Sequence, residues 1–117
     1  MAPIDVPHPF DVNQTGDPGL AGVVLTIVVR KEFDSAGLSP EWAAGLLAEF
    51  PGPVAEVVID MSQIGLVSST FYAGIIQLHA HYTTYGAGRL VLRKPDRRAE
   101  RNLRVMRMDQ FFTIEPR

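Results

Sequence analysis

Three hydroxyl-bearing residues, Ser68, Ser69 and Thr70, stand together immediately before an apolar helical pattern. The first backbone N–H groups of a helix lack partners, and the helix dipole favours negative charge at that end. A serine placed there is suited to accept a phosphate, which would add about −1.5 to −2 charge to the surface. The structural alternative is that Ser68 or Ser69 only caps the helix, a contribution of roughly 1 kcal/mol.

Two carboxylates are candidates for the surroundings of this serine. Asp34 follows the first long apolar segment, and Asp60 ends the next one. If both segments are parallel strands, their carboxyl ends meet at one edge of the sheet, where both acids could shape the approach of a kinase or a nucleotide. The alternative for Asp60 is a turn residue that accepts a hydrogen bond from the backbone near Ser62. For Asp34 the alternative is a solvated loop acid.

Several kinds of catalytic chemistry are excluded by composition and spacing. The chain has no cysteine, which rules out a disulfide scaffold, a cysteine-ligated metal and a thiol nucleophile. His79 and His81 are two residues apart and do not share a helical face, so no metal site is expected. Neither a Gly-x-Ser-x-Gly elbow nor a glycine-rich phosphate loop is present. We therefore expect neither enzymatic activity nor a cofactor.

Charge is distributed unevenly along the chain. The net charge is −2, but residues 1–88 hold two Lys/Arg against nine Asp/Glu, whereas residues 89–107 hold eight Lys/Arg against two acids. Arg97, Arg101 and Arg104 follow helical spacing. Such a face could be solvated and paired with the acidic remainder, or bind an acidic protein, or bind nucleic acid. No aromatic residue lies between the arginines and no helix-turn-helix pattern is present, so direct nucleic-acid binding is not expected.

The elements that position these residues follow from periodicity. The length of 117 residues suggests one domain, with a proline-rich flexible arm over 1–9 and the domain over 10–117. Strands are predicted over Val23–Arg30, Ala55–Met61 and Arg89–Leu92, and Phe10–Gln14 is a weak strand that pairs as an antiparallel hairpin with the first of these. Strands that alternate with helices predict an α/β fold with a largely parallel inner sheet.

Three helices are predicted between and after these strands. The first begins at Ser39-Pro40 and buries Trp42, Leu46 and Phe50. The second covers Phe71–Tyr82, and the third follows Pro95-Asp96 and carries the arginines. The residues expected to face inward on these two helices are Tyr72, Ile75, Ile76, His79, Leu103, Met106 and, less firmly, Val105. Phe111, Phe112 and Ile114 are expected to form a packed tail.

The amino-terminal segment resembles no secretory signal, and no apolar run reaches the roughly 18 residues of a membrane span. A cytoplasmic protein without a membrane span is therefore expected.

The segment from Val57, VVIDMSQIGLVSSTFYAGIIQL, has a recognisable order. A buried strand ends in Asp-x-Ser, a short apolar turn follows, and clustered hydroxyls precede an apolar helix. This order resembles the STAS domain of bacterial anti-sigma-factor antagonists, and the likeness extends over roughly residues 10–115. Lys31-Glu32-Phe33-Asp34 and Met108-Asp109-Gln110-Phe111-Phe112 stand where that family has similar short patterns.

The resemblance implies a single STAS-like α/β domain, with a mixed sheet and helices packed mainly on one face. It places the family's phosphoacceptor serine on Ser69, with Ser68 and Thr70 as lesser candidates. Ser68 replaces the usual aspartate, Thr70 matches the second hydroxyl, and Phe71 stands where glycine is common. These three residues, with Asp34 and Asp60, are expected to contact a partner or a nucleotide.

The implied function is partner switching in the control of transcription. The unmodified form would bind an anti-sigma factor that is also a serine kinase, phosphorylation of Ser69 would end the binding, and a PP2C-type phosphatase would restore it. Two alternatives stay open, a STAS scaffold or transporter subunit without phosphorylation and a domain that binds a nucleotide or small anion. A homodimer is also left open.

Overall fold

The computed structural model describes residues 10–16, 22–30, 38–50, 53–65, 67–84 and 88–116. These residues form a five-stranded mixed sheet and three α-helices, which confirms the predicted α/β fold, although the sequence predicted only four of the five strands. In chain order the elements are β1 (Phe10–Thr15), β2 (Val24–Val29), α1 (Trp42–Glu49), β3 (Glu56–Asp60), α2 (Ser69–His79), β4 (Arg89–Arg93), α3 (Arg97–Val105) and β5 (Thr113–Glu115). A π-helical turn, Ala80–Thr84, extends α2, and a 3-10 turn, Met108–Gln110, precedes β5. The proposed arm over 1–9 lies outside the described residues.

The strands lie in the sheet in their chain order. β1 and β2 form the antiparallel pair that the sequence predicts, and the pairs β2–β3, β3–β4 and β4–β5 are parallel. Each parallel pair needs a crossover, and crossovers of this kind are right-handed in almost all proteins. Three right-handed crossovers taken in the same direction place α1, α2 and α3 on one face of the sheet.

The core lies between that face and the helices. Alternate residues of the strands point into the core. Four of them have 0% exposure: Leu25 and Ile27 from β2, Val57 from β3 and Leu92 from β4. Phe10 is opposite Val29 in the register of β1 and β2, so it belongs to the same face and is also buried. The strands of the inner sheet are apolar on both faces, which is the pattern that predicted them.

Two predictions about the third helix and the chain end are wrong. Val105 is 76% exposed and Met106 is 47% exposed, although the sequence favoured inward positions for them. α3 is buried through Ala99 and through Leu103, which the sequence did predict to face inward. Val105 is the last residue of the helix and lies on its opposite side, and Met106 lies beyond its end. The predicted packed tail is confirmed at Phe112, which is buried, and at Ile114, which packs against the core, but Phe111 is 61% exposed. The segment also contains a strand that was not predicted, because β5 pairs with β4 and Ile114 is opposite Leu92.

Candidate functional site

The turn between β3 and α2 is held by the acid that ends the strand. Asp60 Oδ1 accepts a hydrogen bond of 2.9 Å from the backbone N–H of Ser62, which confirms the turn interpretation of this residue. The backbone N–H of Ile64 donates to the carbonyl of Met61 at 3.2 Å, and the N–H of Met61 donates to the carbonyl of Arg93 at 2.8 Å. The turn that leads to the serines is therefore anchored to two neighbouring strands.

Ser68 and Ser69 occupy different positions at the start of α2. Ser68 is the N-cap, with an extended backbone (φ −82°, ψ 168°), and its side chain makes no capping hydrogen bond to the helix. Its carbonyl accepts hydrogen bonds from the N–H groups of Phe71 and Tyr72 at 3.1 and 3.3 Å. Ser69 is the first helical residue and is exposed. The cap position thus belongs to Ser68, and the hydroxyl of Ser69 lies at the surface beside the amino end of the helix.

The next two residues attach the helix start to the core. Thr70 is half-buried, and its carbonyl accepts a hydrogen bond of 3.2 Å from the indole Nε1–H of Trp42. Phe71 has 0% exposure and stacks on the Trp42 ring at 5.2 Å between centroids, with 7° between the planes. The expectation that Phe71 contacts a partner is therefore wrong. Its side chain is buried in the core, where it packs against Trp42 and fixes the start of the helix.

An exposed face of α2 starts at Ser69 and was not recognised in the sequence. Ala73, Ile76 and Gln77 are exposed, and they lie four, seven and eight residues after Ser69, which places them on one side of the helix. Ile76 is 52% exposed, although the sequence predicted that it faces inward. The buried stripe runs instead through Phe71, Tyr72, Ile75 and Leu78. The small and polar residues at positions 73 and 77, at helical spacing from Ser69, could have indicated an exposed face. The isoleucine at position 76 favoured the opposite prediction, because isoleucine is usually buried.

The packing between α2 and its neighbours is close. A Cβ on Gly74 would lie 2.1 Å from the indole of Trp42, so α1 can approach α2 only because residue 74 is glycine. On the other side, the buried hydroxyl of Tyr72 makes no hydrogen bond of good geometry with any described residue, and Asn102 of α3 is the side chain that approaches it. Burial raises the pKa of Tyr72, and Asn102 acts in the opposite direction.

The two predicted carboxylates have different outcomes. Asp60 is half-buried at the carboxyl end of β3, in register with Arg93 of β4, at the same end of the sheet as the start of α2. Asp34 lies outside the described residues. The position expected for Asp60 is therefore observed, while contact of either acid with a partner or a nucleotide stays a prediction.

Other features lie away from this turn. A cavity of about 240 Å³, lined by Arg89, Phe111 and Thr113 among others, opens at the amino ends of β4 and β5, the opposite edge of the sheet from Ser69. The ring of His79 contacts Phe112 edge-on at 5.1 Å. Within the described ranges, no group of three His, Asp or Glu side chains could hold a metal ion. In the same part of the chain, every helix is too short or too polar to cross a membrane.

No family model matches the sequence, and no curated protein matches it. The likeness to STAS domains therefore rests on the order of motifs in the sequence, together with an observed α/β architecture that is consistent with that fold.

Proposed function

We propose that this protein is a non-enzymatic regulatory module, similar to anti-sigma-factor antagonists, whose binding to a partner is switched by phosphorylation of Ser69. One observation carries the proposal: Ser69 is exposed as the first residue of α2, after an N-cap that another serine supplies. A kinase can reach this hydroxyl without unfolding the helix. The amino end of the helix also favours the negative charge of the product.

The exposed face of α2 supports a binding role for the same surface. Ala73 and Ile76 present an apolar strip that begins one turn after Ser69, with Gln77 beside it. A partner that packs on this strip would cover Ser69 at its edge. A phosphate would then add about −1.5 to −2 charge inside the contact, so both repulsion and the cost of desolvation would weaken the complex.

The anchoring of the helix start supports a switch that leaves the fold intact. The carbonyl of Thr70 and the ring of Phe71 are both held by Trp42, on the side away from the exposed hydroxyl. Adding a charged group to Ser69 disturbs neither contact. The change in affinity would come from the surface alone.

The partners follow from the resemblance. The unmodified protein would bind an anti-sigma factor that is also a serine kinase and so release a sigma factor, and a PP2C-type phosphatase would remove the phosphate. These reactions belong to the cytoplasm, and they require no nucleic-acid contact by this chain.

A second candidate function is a STAS scaffold or transporter subunit that is not phosphorylated. The observation in its favour is Ser68, which stands where the family has an aspartate before the acceptor. The two candidates differ in one property, the transfer of phosphate to Ser69.

That transfer can be measured directly. The purified protein would be incubated with radiolabelled ATP and an extract of the organism that carries the gene, beside Ser68→Ala, Ser69→Ala and Thr70→Ala. We expect label in the parent, in Ser68→Ala and in Thr70→Ala, and none in Ser69→Ala. Equal label in the parent and in Ser69→Ala, with loss in Thr70→Ala, would assign the acceptor elsewhere. Absence of label in every protein would favour the scaffold.

A further inference from the structure

A second exposed surface lies on α3, and we refer to it as the α3 arginine surface. It comprises Arg97, Arg98, Arg101 and Val105, with Arg107 just beyond the helix, and all five residues are exposed. A spacing of four residues separates Arg97 from Arg101 and Arg101 from Val105, and Arg98 lies three residues before Arg101. The four helical residues therefore share one side of α3, opposite the buried Ala99 and Leu103.

Among the described residues, the arginines of this surface differ from the other arginines in having no acidic partner. Arg104 pairs with Glu100 at 3.0 Å and with Asp109 at 3.5 Å, both close to it in sequence. Arginines outside α3 are also paired: Arg30 with Asp11, Arg89 with Glu56 and Arg93 with Glu115. Across the described ranges, Arg97, Arg98, Arg101 and Arg107 make no ion pair with an acid. The sequence allowed three interpretations of this face, and one of them was pairing with the acidic remainder of the domain. Such pairing is not observed for these four arginines.

The positions of the arginines also oppose the stability of the helix. Arg97 and Arg98 are the first two residues of α3, at the end where the helix dipole disfavours positive charge. Arg97 and Arg101 are like charges at i, i+4, an arrangement that costs about 0.2–0.5 kcal/mol in isolated helices. A sequence selected only for a stable helix would not hold this arrangement. Charges that oppose helix stability in this way are typical of surfaces that serve binding.

Apolar side chains lie beside these charges. Val105 is 76% exposed on the same side of α3 as Arg101, and Met106, the next residue, is 47% exposed. Interfaces combine arginine and methionine contacts with apolar centres that exclude water. Each guanidinium group of this surface can therefore bind a carboxylate through two parallel hydrogen bonds, and an apolar patch lies next to these groups.

We propose that the α3 arginine surface binds a short acidic segment of a partner protein, with carboxylates on Arg97, Arg98 and Arg101 and an apolar side chain on Val105. The charge balance favours a short protein segment over an extended polyanion. Residues 89–107 have a net charge of +6, and the rest of the chain has −8, which together give the overall −2. A segment about as long as α3, roughly 14 Å, is enough to cover these arginines, whereas a longer polyanion gains no attraction from the rest of the chain, whose net charge is −8.

The surface belongs to a different helix from Ser69, so the proposal stands whether or not Ser69 is phosphorylated. It is tested with a short fluorescein-labelled peptide in which glutamates and leucines repeat at helical spacing. Fluorescence anisotropy would compare the parent, the pair Arg97→Gln/Arg101→Gln, Val105→Ser and a control pair, Arg30→Gln/Arg93→Gln, that removes the same charge elsewhere. We expect saturable binding by the parent and the control, and at least about tenfold weaker binding by Arg97→Gln/Arg101→Gln.

A stability measurement separates binding from folding. Arg97→Glu places an acid at the amino end of α3, so it should melt at or above the temperature of the parent while it loses the peptide. Competition with random-sequence duplex DNA, and with phosphatidylcholine vesicles that contain phosphatidylglycerol, tests the other polyanions. The proposal is overturned if the peptide does not bind, if the control pair loses as much affinity as the α3 pair, or if DNA or vesicles bind more tightly than the peptide. Self-association of the parent that Arg97→Gln/Arg101→Gln abolishes would overturn it too, because a second copy would then be the occupant.

Discussion

The indole N–H of Trp42 donates a hydrogen bond of 3.2 Å to the carbonyl oxygen of Thr70. This bond joins the first residue of α1 to the residue that follows Ser69, and the same indole stacks on Phe71. The first turn of α2 is therefore fixed from inside the domain while the hydroxyl of Ser69 stays exposed. The residues that hold this turn in place are therefore different from the proposed phosphoacceptor.

Trp42→Ala should destabilise the domain by about 3–5 kcal/mol, because it removes a buried aromatic ring from the contact between α1 and α2. Urea denaturation followed by circular dichroism measures the loss, since the variant has no tryptophan left for fluorescence. A loss below about 1 kcal/mol, within the range of surface substitutions, would mean that the ring is not part of the core.

Two glycine substitutions provide a matched pair. Gly74→Ala puts a methyl group 2.1 Å from the Trp42 indole and should cost about 1–3 kcal/mol through overpacking, in spite of the better helix propensity of alanine. In Gly45→Ala in α1, the added methyl group meets no described residue within 4 Å outside the backbone of its own helix, so the substitution should stabilise the domain by up to about 1 kcal/mol. Thermal melts of both variants check the opposite signs. A Gly74→Ala variant that melts at or above the temperature of the parent would contradict the close approach of the two helices.

Charge at Ser69 should act on the surface and not on the fold. Ser69→Asp adds an acid at the amino end of α2 and should leave the melting temperature equal to or slightly above that of the parent, whereas Ser69→Lys should lower it slightly. The difference between the two variants should be about 0.5–2 kcal/mol, measured by chemical denaturation. Unfolding of Ser69→Asp would show that residue 69 is a buried structural element, and the switch would then fail.

The same aspartate should reduce affinity for a partner on α2 by at least about tenfold, which corresponds to 1.4 kcal/mol. Aspartate carries less charge than phosphate and lacks its geometry, so this is a lower bound. Titration calorimetry with the proposed anti-sigma-factor partner measures the effect, and Ile76→Ser provides a second variant on the same face. Tight binding by both variants would place the interface elsewhere.

Stability should fall at high pH through Tyr82. Burial raises the pKa of this side chain from 10.0 to about 12, and its hydroxyl donates to the carbonyl of Phe50. Because the folded pKa lies above the unfolded one, this contribution is complete below pH 10 and is lost as the pH rises from about 10 to about 12. Melting temperatures between pH 9 and about 11.5 should therefore fall less steeply in Tyr82→Phe than in the parent. Equal slopes would show that Tyr82 does not titrate with folding.

The inner sheet could be predicted because its strands carry strong local patterns. β3 is apolar at Val57, Val58 and Ile59, a run that indicates a strand covered on both faces, and the intervening helical patterns required parallel crossovers. β5 could not be predicted in this way, since a strand of three residues has no periodicity. It is defined by its pairing with β4, which is a long-range contact.

In the candidate site, too, some features follow from local sequence and others depend on long-range contacts. The turn at Asp60 and the helix start near Ser69 follow from local rules, and both are observed. The burial of Phe71 and the exposure of Ile76 depend on where α1 lies against α2, and local spacing does not contain that information. In α3, Val105 is exposed because it lies on the side of the helix opposite Ala99 and Leu103, and Met106 is exposed beyond the last helical residue.

The most direct test of the phosphorylation switch is mass spectrometry of the protein isolated from the organism that carries its gene, with mapping of the peptide that contains Ser68, Ser69 and Thr70. The account predicts a single phosphate on Ser69 in part of the molecules, in a proportion that changes with growth conditions. An unmodified peptide under all conditions, or a phosphate found only on Ser68 or Thr70, would contradict it.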